Sequence, residues 1–449
     1  MKFLKKAAFL TTAAIMAGSA ISIAACGDSD LEDTADTKKV LMWINKTLEQ
    51  AEGGVYKSLA ESFNAADFKT QDGRHIEVVL RSQTDAETLQ STLQTAKASG
   101  NRFPDVLAVD APKIAKYQKD GWIRDISDYL TAEEKADYMD SVIKQATIDG
   151  KLYALSAMET PTALYYNKEI VTQEVLTRAG VSSYATPQNP WTWDELAAVL
   201  GQINGNAAKI DMTYGFGGNA GNFYFYAPLV DSVGARVCDP ATGKLTGNLD
   251  SAESVNAFAS LGKVNRYRYS GSSQYALVTG EAAFVIHGPW LLNNIVASQY
   301  SSQLDNIGAM PMPVVVKTDG TTRGKVVSGC GSWCLGVSPD TKDAYASAQV
   351  VKYFTSAEAS MKYFEAIGTF PTHKSAYEGE DVNEDLQTGA YKEVSELMAY
   401  ASPRPVSVYT GEYELAFKDI IDYIRTNTDL SGIQSKISSI SSTHDTYIR

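Results

Sequence analysis

The chain has 449 residues, of which 44% are hydrophobic and 21% charged, and a formal net charge of −13. That length exceeds what one ordinary core accommodates, so two lobes or domains are expected. The acidic balance argues against nucleic acid as a partner, because phosphate contacts need a basic surface.

Met1 to Lys6 is a short basic stretch, and Ala7 to Ile23 is uncharged, apolar and rich in small residues. This is the layout of an export signal, not of a domain element. It runs into Ile23-Ala24-Ala25-Cys26-Gly27, which resembles a bacterial lipobox. The resemblance implies a lipoprotein signal peptide over residues 1–25, cleavage before Cys26 and a diacylglycerol on the Cys26 sulfur. Two acyl chains suffice for stable anchoring to a membrane. Cleavage would remove Lys2, Lys5 and Lys6 and no acidic residue, taking the net charge from −13 to −16. Residues 26–37 are polar, acidic and without periodicity, and read as a lipidated tether. A plain secretory signal with an incidental cysteine is the alternative.

Val40 to Ile44 reads as a buried strand that runs into the polar loop Asn45-Lys46-Thr47. Tyr56, Leu59, Ala60 and Phe63 repeat at helical spacing. His75 to Arg81 is a second strand, and Leu89, Leu93 and Ala96 mark a helix ended near Gly100. Asp105 to Asp110 is a third strand closing on a carboxylate, followed by a helical stretch from Ile114 that stops at Gly121. This β-α-β-α-β-α order predicts an α/β fold with a mostly parallel sheet and helices on both faces. Ligands of such sheets gather at the carboxyl ends of strands, where Asn45, Lys46, Arg81 and Asp110 lie.

Leu152 to Ala157 is a short extended segment leading to Glu159 and a buried-looking strand, Ala163 to Lys168. Thr192 or Asp194 would cap a helix carrying Leu196, Val199, Leu200 and Ile203. The glycine-rich stretch Tyr214 to Gly221 lacks the strand-turn-helix setting of a dinucleotide site. Phe223, Tyr224, Phe225 and Tyr226 point all round a helix, so at least one faces something other than core. Val255, Phe258 and Ala259 suggest a further helix. Ala282 to Ile286 is an apolar run of strand length, ended by Gly288-Pro289. Trp290 therefore sits just past a buried strand, either packed in the core or offering its ring to a ligand's apolar face.

Asn306 to Pro313 reads as extended, and Lys317 to Lys325 as a hairpin tip. A strand entered by Trp333 follows, then helices over Ala344–Phe354 and Ala357–Ile367. Ser402-Pro403-Arg404-Pro405 breaks the chain before an amphipathic helix with Leu415, Ile420, Ile421 and Ile424. The four histidines are scattered with no zinc-like spacing, and no metal or cofactor is expected. Cys238, Cys330 and Cys334 are either free buried thiols or include a bridge from Cys238.

The ordered motifs Phe103-Pro104-Asp105-Val106, Tyr165-Tyr166-Asn167-Lys168, Gly280-Glu281-Ala282-Ala283-Phe284, Gly288-Pro289-Trp290, Gly368-Thr369-Phe370-Pro371-Thr372 and Arg404-Pro405 resemble those of the bacterial extracellular solute-binding proteins of family 1. These are carbohydrate receptors of ABC importers, similar in layout to the maltose-binding receptors. The resemblance covers residues 38–449. It implies a two-lobed, type II periplasmic-binding-protein-like fold. The N-terminal lobe would span 38–157 plus 327–401 and the C-terminal lobe 158–326 plus 402–449. Three hinge crossings would lie near Ala157–Glu159, Thr321–Val327 and Ala401–Arg404. It further implies a sugar held between the lobes, delivery to permease subunits, and a monomer on the outer face of the cell membrane.

Sugar hydroxyls want charged or amide partners, and the C–H face of a sugar wants an aromatic plane. The residues that the resemblance puts in that role are Asn45, Lys46, Asp110, Glu159, Asn222, Tyr224, Trp290, Trp333, Tyr409 and Glu412. Asp110 has an alternative role as a helix N-cap, and Glu159 as a hinge salt bridge. The expected function is non-catalytic capture of an oligosaccharide. The alternatives are a glycoside hydrolase, which needs two cleft carboxylates, and a receptor for a peptide or polyol. The apolar neighbours Val109 and Ala111 depart from the usual pattern around Asp110 and weigh against maltose itself.

Overall fold

The computed structural model describes residues 31–213, 218–271, 273–378 and 383–449. The export signal, Cys26 and the start of the tether lie outside the described residues, as does 214–217 of the glycine-rich stretch. The strands that matter for the site are β1 (Thr37–Ile44), β2 (His75–Ser82), β3 (Val106–Asp110), β4 (Ala154–Leu155), β5 (Ala163–Asn167), β6 (Ile210–Asp211), β7 (Phe284–His287), β8 (Ile307–Met310), β9 (Ser328–Cys330), β10 (Trp333–Val337) and β11 (Ala401–Pro403). They form one sheet in the order β2-β1-β3-β10-β4, a second in the order β8-β5-β7-β6, and a ribbon of β9 with β11.

The expected parallel arrangement needs correction. β1, β2 and β3 run parallel, but β10 runs against β3 and β4. In the second sheet β6 lies parallel to β7, while β5 runs against both β7 and β8. Each sheet is therefore mixed, with one reversed strand. The cause is the chain path. β5 and β10 each follow directly on a crossing between the sheets, so they start at the hinge-facing edge and run away from it. Their neighbours end at that edge.

Three apolar layers hold the molecule. Val40 to Ile44, Phe63, Val106 to Val109, Leu335 and Phe354 form the core of the first sheet. On the second sheet, period-two alternation divides the side chains between two faces. Leu164, Phe284 and Ile286 join Phe223, Phe417 and Ile421 on one face, while Tyr165 and Val285 join Leu292, Ile307 and Phe364 on the other. Leu386, Ala390, Val394 and Leu397 belong to this last layer. The Glu393 carboxylate accepts from the Ala309 amide at 2.6 Å. Residues 386–397 thus pack with the second sheet, although the expected boundaries grouped them with the first. The apolar spacing of that helix shows that it is buried but not against which sheet.

The middle crossing is β9 and the residues up to Ser332, not Thr321–Val327. The earlier stretch stays with the second sheet, where Gly324 and Lys325 donate to the carbonyls of Val315 and Ser232. The Thr192 side chain accepts from the Glu195 amide and the Glu195 carboxylate accepts from the Thr192 amide, a capping box that settles the helix start on Thr192 rather than Asp194.

Candidate ligand-binding site at the hinge-facing sheet edges

Three crossings lie side by side. Gly329 exchanges hydrogen bonds with Thr162, and the Ser156 and Ser332 hydroxyls are 2.6 Å apart. Glu159 sits among them, fully buried. It accepts from the Gly331 amide at 2.8 Å, the Ser141 hydroxyl at 3.0 Å and the Thr160 amide at 3.2 Å. Burial raises its pKa against these hydrogen bonds. Gly331 is required here. Its φ is +139°, and a Cβ would lie 3.1 Å from the Arg404 guanidinium.

Asp110 ends β3 and faces Trp333 across the β3–β10 pair. Arg404 grips it bidentately, Nη2 to Oδ1 at 2.7 Å and Nη1 to Oδ2 at 3.2 Å, with both side chains largely buried. Burial works against the Arg404 charge, and the Asp110 carboxylate outweighs it, so the guanidinium pKa rises. Asp110 stands at the N-cap position of the turn Ala111–Lys113, but its side chain makes no capping bond there and both its oxygens accept from Arg404 instead. The Arg404 guanidinium also lies 5.6 Å from the Tyr224 ring centre.

Tyr224 donates its hydroxyl to the Thr160 carbonyl, which ties the helix Gly218–Ser232 to the first crossing. Its ring is 6.0 Å from Trp290 at 31°. Trp290 is half-buried and opens the helix Trp290–Val296. The Trp290 ring folds back over Gly288, where any Cβ would meet it at 2.1 Å. The His287 ring stands 5.2 Å away at 64°. Asn222 is buried in the turn of helix before Tyr224. Trp333 is half-buried at the entry of β10.

Asn45 is buried at the end of β1, and among the described residues its Oδ1 has no partner. Lys46 pairs with Glu52 at 3.2 Å. The remaining two residues are not brought to this place. Tyr409 packs on Gly243 and donates to the Arg449 carbonyl. Glu412 faces the last helix, Ile433–Asp445, and meets His444 at 3.0 Å. Sequence reasoning missed Arg404 as a site residue, although Arg404-Pro405 was among the motifs. It also missed the Lys113–Glu414 pair at 3.5 Å, which joins the loop after β3 to the helix Thr410–Thr426 and which no motif signals.

A cavity of about 1210 Å³ lies between Lys144 and Gln145, the hinge strand from Ala401 to Tyr409, and the loop from Ala235 to Lys244. Asp110, Tyr224, Trp290 and Trp333 do not line it. Cys330 and Cys334 are buried free thiols and Cys238 is free and half-buried. Among the described residues no helix is long and apolar enough to cross a membrane, and no group of three or more His, Cys, Asp or Glu is placed to hold a metal ion.

Two sheets joined by three adjacent crossings, with polar groups and rings on the hinge-facing edges, make a two-lobed fold of the type II periplasmic-binding-protein kind. A family model described as bacterial extracellular solute-binding protein matches residues 58–390, and the chain belongs to that family. It is 25% identical over 414 residues to the maltodextrin-binding protein MdxE of Bacillus subtilis, covering 90% of this chain and 91% of that protein. Among solved structures, the cyclic α-maltosyl-1,6-maltose binding protein of Arthrobacter globiformis aligns with a TM-score of 0.70 at 15% identity, covering 90% of this chain and 99% of that one. The GacH receptor of Streptomyces glaucescens, solved unliganded and with acarbose, aligns with a TM-score of 0.67 at 21% identity, over 92% and 98% of the two chains.

Proposed function

We propose that this protein captures an oligosaccharide between its two lobes and hands it to an ABC importer, without chemistry of its own. The observation that carries the reading is the half-buried Trp290 ring at the edge of the second sheet, backed by the buried Tyr224 ring, which in turn faces the Arg404 guanidinium held by Asp110 at the end of β3. Relatives named for maltodextrin and maltooligosaccharide binding support the substrate class. Asn45, Asn222 and Trp333 supply further polar and aromatic contacts in this reading, with Lys46 at the rim. Asp110 and Glu159 act through the hinge. Neither serves as a hydrolytic carboxylate, because Arg404 holds the one and backbone amides surround the other. Lipid on Cys26 would keep the monomer at the outer face of the membrane, beside the permease.

A thermal-shift screen of residues 27–449 tests this. Maltooligosaccharides, cyclic glucans, peptides and polyols form the panel. A ligand of the native state raises the midpoint, by about 2.7 kcal/mol of stabilisation at a hundredfold excess over Kd. A shift with an oligosaccharide class supports the reading; a shift with peptides or polyols alone contradicts it.

A further inference from the structure

The cavity of about 1210 Å³ beside the third crossing is walled by both lobes. Lys144 and Gln145 stand on the helix Asp140–Ala146, whose Val142 and Ala146 pack in the core of the first sheet. The loop from Ala235 to Lys244 follows the helix Gly218–Ser232 and packs through Val237 into the core of the second. Gly243 in this loop has φ at +75° and lies against the Tyr409 ring, where a Cβ would stand 2.6 Å from it. That contact sets the loop, and Lys244 with it, against the hinge strand.

The charge of the wall is opposite to that of the chain, which carries a net −13. Six basic side chains line it, Lys144, Arg236, Lys244, Lys325, Arg404 and Arg449, against the acidic Asp231 and Asp239 and the terminal carboxylate of Arg449. The acidic groups are already engaged. Asp231 accepts from the Ser402 hydroxyl at 2.7 Å and pairs with Lys325 at 2.9 Å. Asp239 accepts from the Thr242 and Ala241 amides of its own loop at 2.8 and 3.0 Å, which holds its pKa below the usual carboxylate value, and Arg236 adds to that shift from beyond ion-pair distance. Arg449 accepts from the Tyr409 hydroxyl. Of the cations, Arg404 is held by Asp110 and Lys325 by Asp231. Lys144, Arg236 and Lys244 are exposed and make no ion pair among the described residues. Exposed lysines elsewhere do find partners: Lys263 pairs with Asp194 at 2.6 Å and Lys374 with Asp140 at 3.0 Å. Unanswered like charges around one concavity focus their field on the space they enclose.

We propose that this cavity is a second binding site, for a small soluble polyanion of the oligophosphate kind, whose oxyanion groups reach Lys144 on one lobe and Arg236 and Lys244 on the other. The volume exceeds the roughly 300–1,000 Å³ typical of small-molecule sites, which leaves room for two or more charged groups with their water. Guanidinium and ammonium groups bind phosphate oxygens through charge-assisted hydrogen bonds. A neutral ligand would leave the three cations unanswered. Neither Tyr224 nor Trp290 lines the cavity, so the site stands apart from the sugar reading. A ligand that touches both lobes favours the lobe arrangement in which all three cations reach it.

Isothermal titration of residues 27–449 with tripolyphosphate tests it, with ionic strength held constant by sodium chloride because exposed charges are screened by salt. The wild type is compared with Lys144→Gln on one lobe and with the double variant Arg236→Gln/Lys244→Gln on the other. All three side chains are exposed, and unliganded melting midpoints check the fold of each variant. The expected result is saturable binding by the wild type, one per chain, weakened about tenfold in each variant. No saturable binding by the wild type, or an affinity unchanged in either variant, would overturn the site.

Discussion

The two sheet edges that meet at the hinge carry opposite chemistry. The edge of the first sheet is made of settled charge pairs, Asp110 with Arg404 and Lys46 with Glu52. The edge of the second carries packed rings, Tyr224, His287 and Trp290, beside a desolvated carboxylate, Asp211, that makes no ion pair among the described residues although Arg268 and Arg425 share a cavity wall with it. A carboxylate at the end of a strand is therefore not by itself a ligand group. What decides its role is whether another part of the chain has already supplied its cation. Here the pair on the first edge fixes the third crossing to β3 and leaves the Asn45 amide oxygen as the unpartnered polar atom at the end of β1, while on the second edge the carboxylate itself stays without an ion pair.

If that division holds, the largest effect belongs to Arg404. Arg404→Leu leaves the Asp110 carboxylate buried and unpaired, and the expected destabilisation is about 3–5 kcal/mol by urea unfolding. The double variant Asp110→Leu/Arg404→Leu should recover much of the loss, since a matched apolar pair replaces a matched ionic one. A double variant as unstable as the single one would mean that Asp110 is not the reason Arg404 matters.

A pH experiment comes next. Burial lowers the pKa of His373 to about 4, as it does for His287, although Asp137 pulls the His373 value upward. Both lie below the ordinary 6.5, so the unfolded chain binds more protons between pH 4 and 6.5. Their contribution is complete above about pH 6.5 and is lost as pH falls toward 4. Between pH 7 and 5.5 each histidine is expected to cost about 1 kcal/mol. Buried Glu159 and Glu414 have raised pKa values and act in the opposite sense over lower pH. Comparing the wild type with His373→Phe isolates the histidine: the variant should lose about 1 kcal/mol less over that interval. Parallel curves would contradict the assignment.

Trp290→Ala tests the other edge. Loss of a stacking ring should weaken oligosaccharide binding by about 1.5 kcal/mol, roughly tenfold in Kd, with the unliganded fold intact. Unchanged affinity would make Trp290 a core residue. The smallest effect is expected for Glu412→Gln, which removes a partner of His444 at a half-exposed position. Its cost should stay below about 1 kcal/mol in stability, with ligand affinity unchanged. A large loss of affinity would return Glu412 to the site.

Much of the fold was legible because local spacing carries it. The periodic residues Leu89, Leu93 and Ala96 lie on a helix as read, and the apolar run Ala282 to Ile286 does hold a strand, whose bounds are Phe284–His287. The reversed strands β5 and β10 were not, since direction depends on which edge the chain enters, and no residue pattern records that. The juxtaposition of Tyr224 and Trp290 was within reach, as both follow from a strand ending at the hinge and a helix starting there. The Arg404 partner of Asp110 was not legible because it lies 294 residues away. Glu412 was misplaced by the phase of its helix: Tyr413 and Glu414 face inward, and Glu412 turns toward a helix that comes after it in the chain.

The central claim is that an oligosaccharide occupies the space between the lobes, one per chain. Isothermal titration of residues 27–449 with maltotetraose measures it most directly. A single site is expected, with a Kd that rises about tenfold in Trp290→Ala. Absence of binding by any saccharide, together with saturable binding of a peptide or a polyol, would contradict it.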